Sequence, residues 1–486
     1  MPVCDARVAR AEYPPLGLRI GGAQVAGGGR GMRDVFDPSD ASVLGRLPEA
    51  TAEDVAHAID AAARGFARWR RVSGFERGRV LGAAAARIRS RRAGIARLIT
   101  LELGKPQGEA LREVDTAAEM FEWAAEEARR LYGRLIPART AGVRQMVSLE
   151  PIGPVAAFAG WNAPAITPAR KISGALAAGC SVVIKPSEET PAVALAIADA
   201  VLDSGLPDGV LNVLFGDPSS ISQALLDAPQ IRMITFTGST EVGRELGARA
   251  ARTMKRATLE LGGHAPVLVF ADADPEATAT AAVAAKYRNA GQVCTSPTRF
   301  LVHESIVDRF RAQFVQAARA LKVGAGFDPG VQMGPLANAR RIDAMQALVD
   351  DARSRGASVD TGGGRLPGPG WFWAPTVLGD APDDCRAANV EPFGPLALIR
   401  PFRDFDEAIA QANRLPFGLA AYAFTRDLDT ARAASEAIDS GVVSVNDWTA
   451  SLPETPFGGT RDSGLGSEGG IEGVQAFTRV KYVREA

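Results

Sequence analysis

The sequence predicts an α/β fold with a doubly wound parallel sheet and a second α/β unit after it. Three observations predict it. From residue 154 to 262, short runs that are apolar throughout alternate with helical patterns. Strands buried on both faces read this way, and helices between them join the strands in parallel. A second alternating series begins near Ala265. The chain has 486 residues, room for two to four domains at roughly 100–200 residues each.

Taken in order, "LRIGGAQV" reads as an early hairpin. "TAEDVAHAIDAAARGFARWR" reads as a helix capped by Thr51, with the Asp54 carboxylate three residues on. Val55, Ile59, Ala62, Phe66 and Trp69 share one face of it. The Arg-rich run "RIRSRRAGIAR" (residues 87–97) reads as the solvated face of one helix. "DTAAEMFEWAAEEARRLYG" reads as a helix that stops at its glycine. The first alternating series follows. "PVAAFAG" precedes the helical "ARKISGALAAG", and "SVVIKP" precedes "PAVALAIADAVLDSG". "VLNVLFG" precedes "SISQALLDAP", "MITFTG" precedes "TEVGRELGARAAR", and "ATLELGG" closes it. The second series runs through "APVLVFADAD", "RFLVHESIVDRFRAQFVQAARAL", "PLALIRPF", "AAYAFTRD" and "GVVSVND", with "TGGGRLPGPGWFWAP" as a loop inside it.

Composition narrows the function. The formal net charge is −1, without the clustered basic surface that nucleic-acid binding requires. No stretch approaches ~18 uninterrupted apolar residues, so no membrane span is expected. "MPVCDARVARAEYPP" has no apolar core, so no secretory signal is expected. Cys4, Cys180, Cys294 and Cys385 form no CxxC and no metal spacing. The expectation is a cytoplasmic protein in a reducing compartment, with neither disulfide nor metal. His57, His264 and His303 sit in no zinc or nucleophile-elbow motif.

Ligands of parallel sheets bind beyond the carboxyl ends of the strands. The G-x-G-x-x-G pattern occurs only in "GLGSEG", near the C-terminus and outside any strand–helix unit, so it is not a dinucleotide site. "FTGSTEVG" is the better candidate. Gly238, Ser239 and Gly243 follow the strand "MITF" and open a helix whose amides can meet a pyrophosphate. A capped helix start with no ligand would read the same way. In "IKPSEETP", Lys185 and Glu188 follow another strand; a lysine and a carboxylate there suit ribose hydroxyls, or pair with each other on an exposed loop.

"RNAGQVCTSP" holds one cysteine, Cys294, flanked by small and polar residues. A lone cysteine is more often a packed thiol than a nucleophile. Three further stretches end at the same crevice: "GWNAP", "LELGGHAP" and "EPFGP". With "FTGSTEVG", "KPSEE" and the late "PFGGTRDSGLGSEGG", in this order and spacing, they resemble the aldehyde dehydrogenase superfamily over nearly the whole chain. The resemblance implies that Cys294 is the nucleophile, Asn162 the oxyanion donor and Glu260 the base that activates water. It implies that Glu468 is a second acid near the proton path. It gives the cofactor NAD, with NADP the less expected. Trp161, Lys185, Glu188, Gly216, Gly238, Ser239, Gly243, Glu391 and Phe393 would hold it. The chemistry suits these residue types. An aldehyde gives up hydride only once a nucleophile has made its carbon tetrahedral. A thiolate does so and leaves a thioester that water can cleave.

By the same resemblance, residues 1–132 and 151–262 form the cofactor domain and 263–460 the catalytic domain. Segments 133–150 and 461–486 form a small bridging sheet that joins subunits into a homodimer or homotetramer. Arg170 and Arg288 match arginines that hold the substrate carboxylate in succinic semialdehyde dehydrogenases, with Ser451 and Trp448 beside them. "KRATLELGGHAPV" and "RNAGQVCTSPTRFLVH" resemble bacterial α-ketoglutaric semialdehyde dehydrogenases. Two guanidiniums suit a carboxylated aldehyde. Two departures point instead to a bulkier or aromatic one. Ala163 stands where the family usually has an aromatic residue, and Trp448 stands in the loop expected to close the tunnel. Ser296, two after Cys294, removes the adjacent-cysteine redox switch of some relatives. Outside this class, the same residues would serve a cofactor-free cysteine esterase or acyltransferase, or a non-catalytic structural relative.

Overall fold

The computed structural model describes residues 6–486; residues 1–5, and with them Cys4 and the opening of the N-terminal segment read for a signal, lie outside the described residues. The largest sheet has eight strands, in the order Ala23–Val25, Leu18–Ile20, Leu211–Val213, Val182–Lys185, Val155–Phe158, Met233–Thr237, Arg256–Glu260, Gly464–Leu465. Its five central strands are parallel, as their apolar runs require, and every residue of Val155–Phe158, Val182–Lys185 and Met233–Thr237 is buried. The predicted hairpin closes one edge in antiparallel pairing, and Gly464–Leu465 closes the other against Leu259 and Glu260. Register puts Lys185 opposite Phe158, and Thr237 opposite Glu260. These strand ends share one rim, where a parallel sheet binds ligands.

The second sheet has seven strands, from Ser358–Thr361 through Thr376–Gly379, Leu396–Phe402, Pro297–His303, Ala265–Val269 and Ala420–Phe424 to Val442–Val445. All its pairs are parallel except the first. A separate antiparallel sheet joins Thr478–Glu485, Arg144–Pro151 and Arg134–Ile136. The first large sheet lies in one apolar cluster around Phe158, Ile184 and Phe236; the second divides its faces between a cluster around Tyr287, Phe300 and Tyr422 and a smaller one around Leu268, Leu301 and Phe402. Among the described residues no helix is long and apolar enough to cross a membrane.

The capping box at Thr51 and Asp54 forms, and the helix Ala52–Trp69 buries Val55, Ile59, Ala62 and Trp69. Two helical readings need correction. The Arg-rich run spans two helices, Gly74–Ser90 and Arg92–Leu103, broken at Arg91. Its arginines are not a free basic face: Arg89, Arg91, Arg92 and Arg97 pair with Glu122, Asp203, Asp115 and Glu12. The helix read as stopping at Gly133 ends at Glu127. Gly133 serves this antiparallel sheet instead, since a Cβ there would lie 2.1 Å from the carbonyl oxygen of Val147.

Candidate active site

The helix Pro275–Tyr287 ends against a tight turn, Arg288–Gly291, that delivers Cys294. Three successive residues of the turn are left-handed: Asn289 at φ 50°, Ala290 at 52° and Gly291 at 70°. Left-handed backbone suits asparagine and glycine and strains alanine. A side chain at position 291 has no room, because a Cβ would lie 2.1 Å from the carbonyl oxygen of Gly394. Side-chain amides hold the turn. Asn289 Nδ2 donates to the carbonyls of Asn162 (3.0 Å) and Gln292 (3.1 Å), while Gln292 Oε1 accepts from the Ala337 amide at 2.9 Å. One asparagine therefore ties the cysteine loop to the segment carrying Asn162. Beyond the cysteine, the Tyr422 hydroxyl donates to the carbonyl of Thr295 at 2.7 Å.

Glu260 is the last residue of Arg256–Glu260 and is 4% exposed. Its Oε1 has no hydrogen-bond partner among the described residues, and the Cys294 thiol faces its carboxyl group. Burial, helped by the charge of Glu468, pushes Glu260 up to about 6. Loss of water, then the charge of Glu260, pushes the Cys294 thiol well above its ordinary range, and Arg170 pulls the other way. The cysteine is thus a neutral thiol beside an ionised acceptor at neutral pH. The glycine pair after Glu260 allows the crowding. A Cβ on Gly263 would lie 2.9 Å from the Cys294 carbonyl oxygen, and one on Gly262 would lie 2.6 Å from a Glu391 oxygen.

Asn162 lies between the strand Val155–Phe158 and the helix Ile166–Ala178. Its Oδ1 leans over Gly160, and Nδ2 donates to no acceptor among the described residues. Behind the site, Lys171 Nζ donates to Glu468 Oε1 (2.6 Å) and to Thr235 (3.1 Å), and the Thr235 hydroxyl donates to the same carboxylate at 2.9 Å. Burial raises Glu468, but the charges of Lys171 and Arg170 outweigh it, so the carboxylate sits below its usual range. Arg170 donates to Ser451 at 2.7 Å, lies 4.0 Å from Glu468 Oε2, and stacks over Phe457 at 4.6 Å. Its Nε is buried without a partner. Arg288 is exposed and makes no hydrogen bond or ion pair among the described residues, although its charge is felt by Tyr422 and Glu109. Trp448 lies against Phe424 and Tyr422, with ring centroids 4.5 and 5.3 Å away.

At the rim of the first sheet, Ser239 caps the helix Thr240–Arg252 by accepting from the Val242 amide. Gly243 is buried there, and a Cβ would lie 2.2 Å from the Leu261 side chain. Lys185 Nζ and Glu188 Oε1 are 2.5 Å apart, and the same oxygen accepts from the Gly216 amide at 3.2 Å. Burial lowers Lys185, with Glu188 opposing. Across the crevice the Trp161 ring meets Phe393 edge-on at 5.4 Å, with Phe393 at φ 45°. Glu391 Oε1 accepts from the Gly263 amide at 3.0 Å; burial pushes this carboxyl up to about 8, and the Glu260 charge adds to the rise.

Residues 25–483 match the aldehyde dehydrogenase family, and with them every stretch just described. The chain belongs to that family. A 4-(hydroxymethyl)benzenesulfonate dehydrogenase of Comamonas testosteroni is 47% identical over 96% of this chain and 97% of its own. A succinate-semialdehyde dehydrogenase [NADP(+)] of Escherichia coli is 41% identical over 93% of each. The crystal structure of a betaine aldehyde dehydrogenase from Staphylococcus aureus, solved in complex with NAD+, superposes with a TM-score of 0.96 at 31% identity, covering 99% of this chain and 97% of that one. The family's members thus include an NADP-named enzyme and an NAD-bound one, and the chain is an oxidoreductase acting on aldehydes.

For an aldehyde dehydrogenase the rim fits a dinucleotide in chemistry. The helix start at Ser239 is open, with Ser239 and Val242 exposed, so its first amides are available to an anion. A Cβ at Gly238 would lie 2.4 Å from the Phe236 ring. Three further residues carry the site although their roles were not read from the sequence. Asn289 and Gln292 lie inside the stretch that announces Cys294, but only the fold shows what their amides hold. Lys286, one turn earlier, is 1% exposed, and among the described residues its ammonium has only the Ser296 and Thr298 hydroxyls as partners, at 3.1 and 3.4 Å. Burial pulls it down to about 7, with the Glu391 charge opposing.

Proposed function

We propose that this aldehyde dehydrogenase uses NAD to oxidise an aldehyde carrying an anionic group to its carboxylic acid. The observation that supports the chemistry most directly is the Cys294 thiol facing the buried, half-satisfied carboxyl of Glu260. Glu260, ionised above about pH 6, takes the thiol proton as the sulfur adds to the aldehyde carbon. The aldehyde oxygen then carries the negative charge, and the Asn162 amide and the Cys294 N–H hold it; one such donor is typically worth about 3 kcal/mol. Lys185, Glu188, Gly216, Gly238, Ser239, Gly243, Trp161, Glu391 and Phe393 would hold NAD, which would supply the hydride acceptor. The carbon is left as a thioester on Cys294. Once the thiol proton has left Glu260 for solvent, its carboxylate takes a proton from water, the water oxygen adds to the thioester, and the carbon–sulfur bond breaks. The acid leaves and Cys294 recovers its proton. Glu468, held by Lys171 and Thr235 and close enough for its charge to raise Glu260, is the second acid that would carry protons away from it.

NAD is favoured because Glu188 stands where the adenosine ribose is expected, and its carboxylate repels a 2′-phosphate. The anionic substrate is supported by Arg170, which keeps one buried N–H unmatched, and by the exposed Arg288, which has no hydrogen-bond or ion-pair partner among the described residues. The names of both relatives agree in charge, a sulfonate in one and a semialdehyde of a dicarboxylic acid in the other. We also propose a homodimer or homotetramer joined through the bridging sheet.

The test is NADH formation with acid and neutral aldehydes of equal length, such as succinic semialdehyde and butanal. A hydrogen bond to a charged group contributes about 1.5–3 kcal/mol. At ~1.4 kcal/mol per tenfold, Arg170→Ala and Arg288→Ala should each cost roughly ten- to a hundredfold in kcat/KM on the acid and little on the neutral aldehyde. Equal losses on both, or a parent enzyme that prefers butanal, would sink the anionic reading.

A further inference from the structure

We propose that the substrate is an aryl aldehyde with an anionic group on its ring, and that Trp448 selects the ring. The inference rests on the anionic-aldehyde reading above and adds the scaffold between aldehyde and anion. It starts from the wall next to the nucleophile. Tyr422 is fixed by its hydrogen bond to Thr295, the residue after Cys294. Trp448 lies 5.3 Å from the Tyr422 ring at 43°, and 4.5 Å from Phe424 at 36°. One side of the indole packs on the second core cluster; the rest of the half-buried side chain is open. The loop that carries Trp448 also carries Ser451, which holds Arg170. Arg288, free of partners among the described residues, lies within charge range of Tyr422. The stretch from Trp448 to Ser451 thus joins an aromatic face to Arg170, and Tyr422 joins that face to the residue after Cys294. Asn162 is followed by Ala163, so only a methyl group succeeds the oxyanion donor.

A four-carbon acid uses the guanidiniums but has no face to lay against an indole. A benzene ring uses both. Aromatic pairs prefer tilted or offset contacts with centroids ~4.5–7 Å apart, the geometry Trp448 already adopts with its neighbours. The stacking preference and the burial of ring carbon together make an effect of about tenfold or more in kcat/KM.

The experiment compares 4-carboxybenzaldehyde, benzaldehyde and succinic semialdehyde on the parent enzyme, Trp448→Ala and Trp448→Phe, by NADH formation. The parent is expected to prefer 4-carboxybenzaldehyde to both others. Trp448→Ala should lower the ratio of 4-carboxybenzaldehyde to succinic semialdehyde about tenfold, and Trp448→Phe should recover most of it. Should the alanine variant fail to fold, inhibition of the parent decides: terephthalate must compete more strongly than succinate. A parent that prefers succinic semialdehyde, a ratio unmoved in the alanine variant, or succinate matching terephthalate overturns the ring and leaves the anionic reading standing. A parent that oxidises benzaldehyde as fast as its carboxylate overturns that reading, and this proposal with it.

Discussion

Glu260 is a carboxyl group kept where its charge is unwelcome. Its usefulness as a base and its cost to the fold have one cause, the loss of water around it. The acid limb of activity follows directly. The ionised form does the work, so hydrolysis-limited turnover should rise with pH through about 6 and fall about tenfold per unit below it. Stability runs the opposite way. A carboxyl raised from its ordinary 4.5 to about 6 binds its proton more readily in the fold than in the unfolded chain. Its contribution therefore favours folding at pH below 4.5 and is lost as pH rises through 6. Glu260→Gln, which cannot ionise, should remove the acid limb and slow steady turnover roughly 10²–10⁴-fold, and should suppress the first burst of NADH as well, because the same carboxylate takes the thiol proton. It should also resist denaturant better than the parent at pH 8, by about 2 kcal/mol for the shift removed. A full first burst of NADH in the variant would show that Glu260 is not needed before the thioester, and would remove it as the acceptor of the thiol proton.

At the scale of elements, the loop before Cys294 shows what pattern reading reaches and where it stops. Strands buried on both faces were legible because their apolar runs leave no alternative, and so were the cap at Thr51 and the helix start at Ser239, which depend on neighbours in sequence. The break at Arg91 was not, because each half of that run is an acceptable helix surface and the bend is decided by packing. Gly133 misled for a related reason: a glycine past a helical pattern reads as a stop, but this one is required by a strand fourteen residues on. In the site, the residues proposed to react were singled out through the resemblance of short motifs, whereas Asn289 was not. Its amide bridges two segments 127 residues apart, and no local pattern records such a contact. The left-handed turn it occupies stores strain that these hydrogen bonds must hold. Asn289→Ala should therefore lower kcat about tenfold or more and leave KM for NAD within a factor of two, because nucleophile and oxyanion donor lose their common anchor while the sheet rim does not. Burst kinetics and NAD titration check it. A rise in KM for NAD with kcat preserved would place Asn289 in cofactor binding instead.

Among the described residues the two large sheets carry the candidate site, and the three-stranded antiparallel sheet does not. The antiparallel sheet of Arg134–Ile136, Arg144–Pro151 and Thr478–Glu485 covers little of the core, and Leu135, Val480 and Tyr482 on it are 72, 64 and 51% exposed. Its ion pairs, Arg479 and Lys481 with Glu150, lie across strands and leave these apolar side chains to water. A strand-edge sheet with exposed apolar side chains invites another strand or sheet against it. A second copy of the chain presents the same residues, and a closed symmetric assembly is the usual outcome of a self-complementary patch. All the residues assigned to catalysis lie on one chain, so the contact is expected to support the fold without completing the site. Replacing Leu135 and Val480 with lysine together should turn the assembly into single subunits in light scattering after gel filtration. The helical and sheet content seen by circular dichroism should persist, because neither side chain packs on either main cluster. A parent that already elutes as one subunit, or a double variant of unchanged mass, would remove this sheet as the interface and leave its exposed face without a role in assembly.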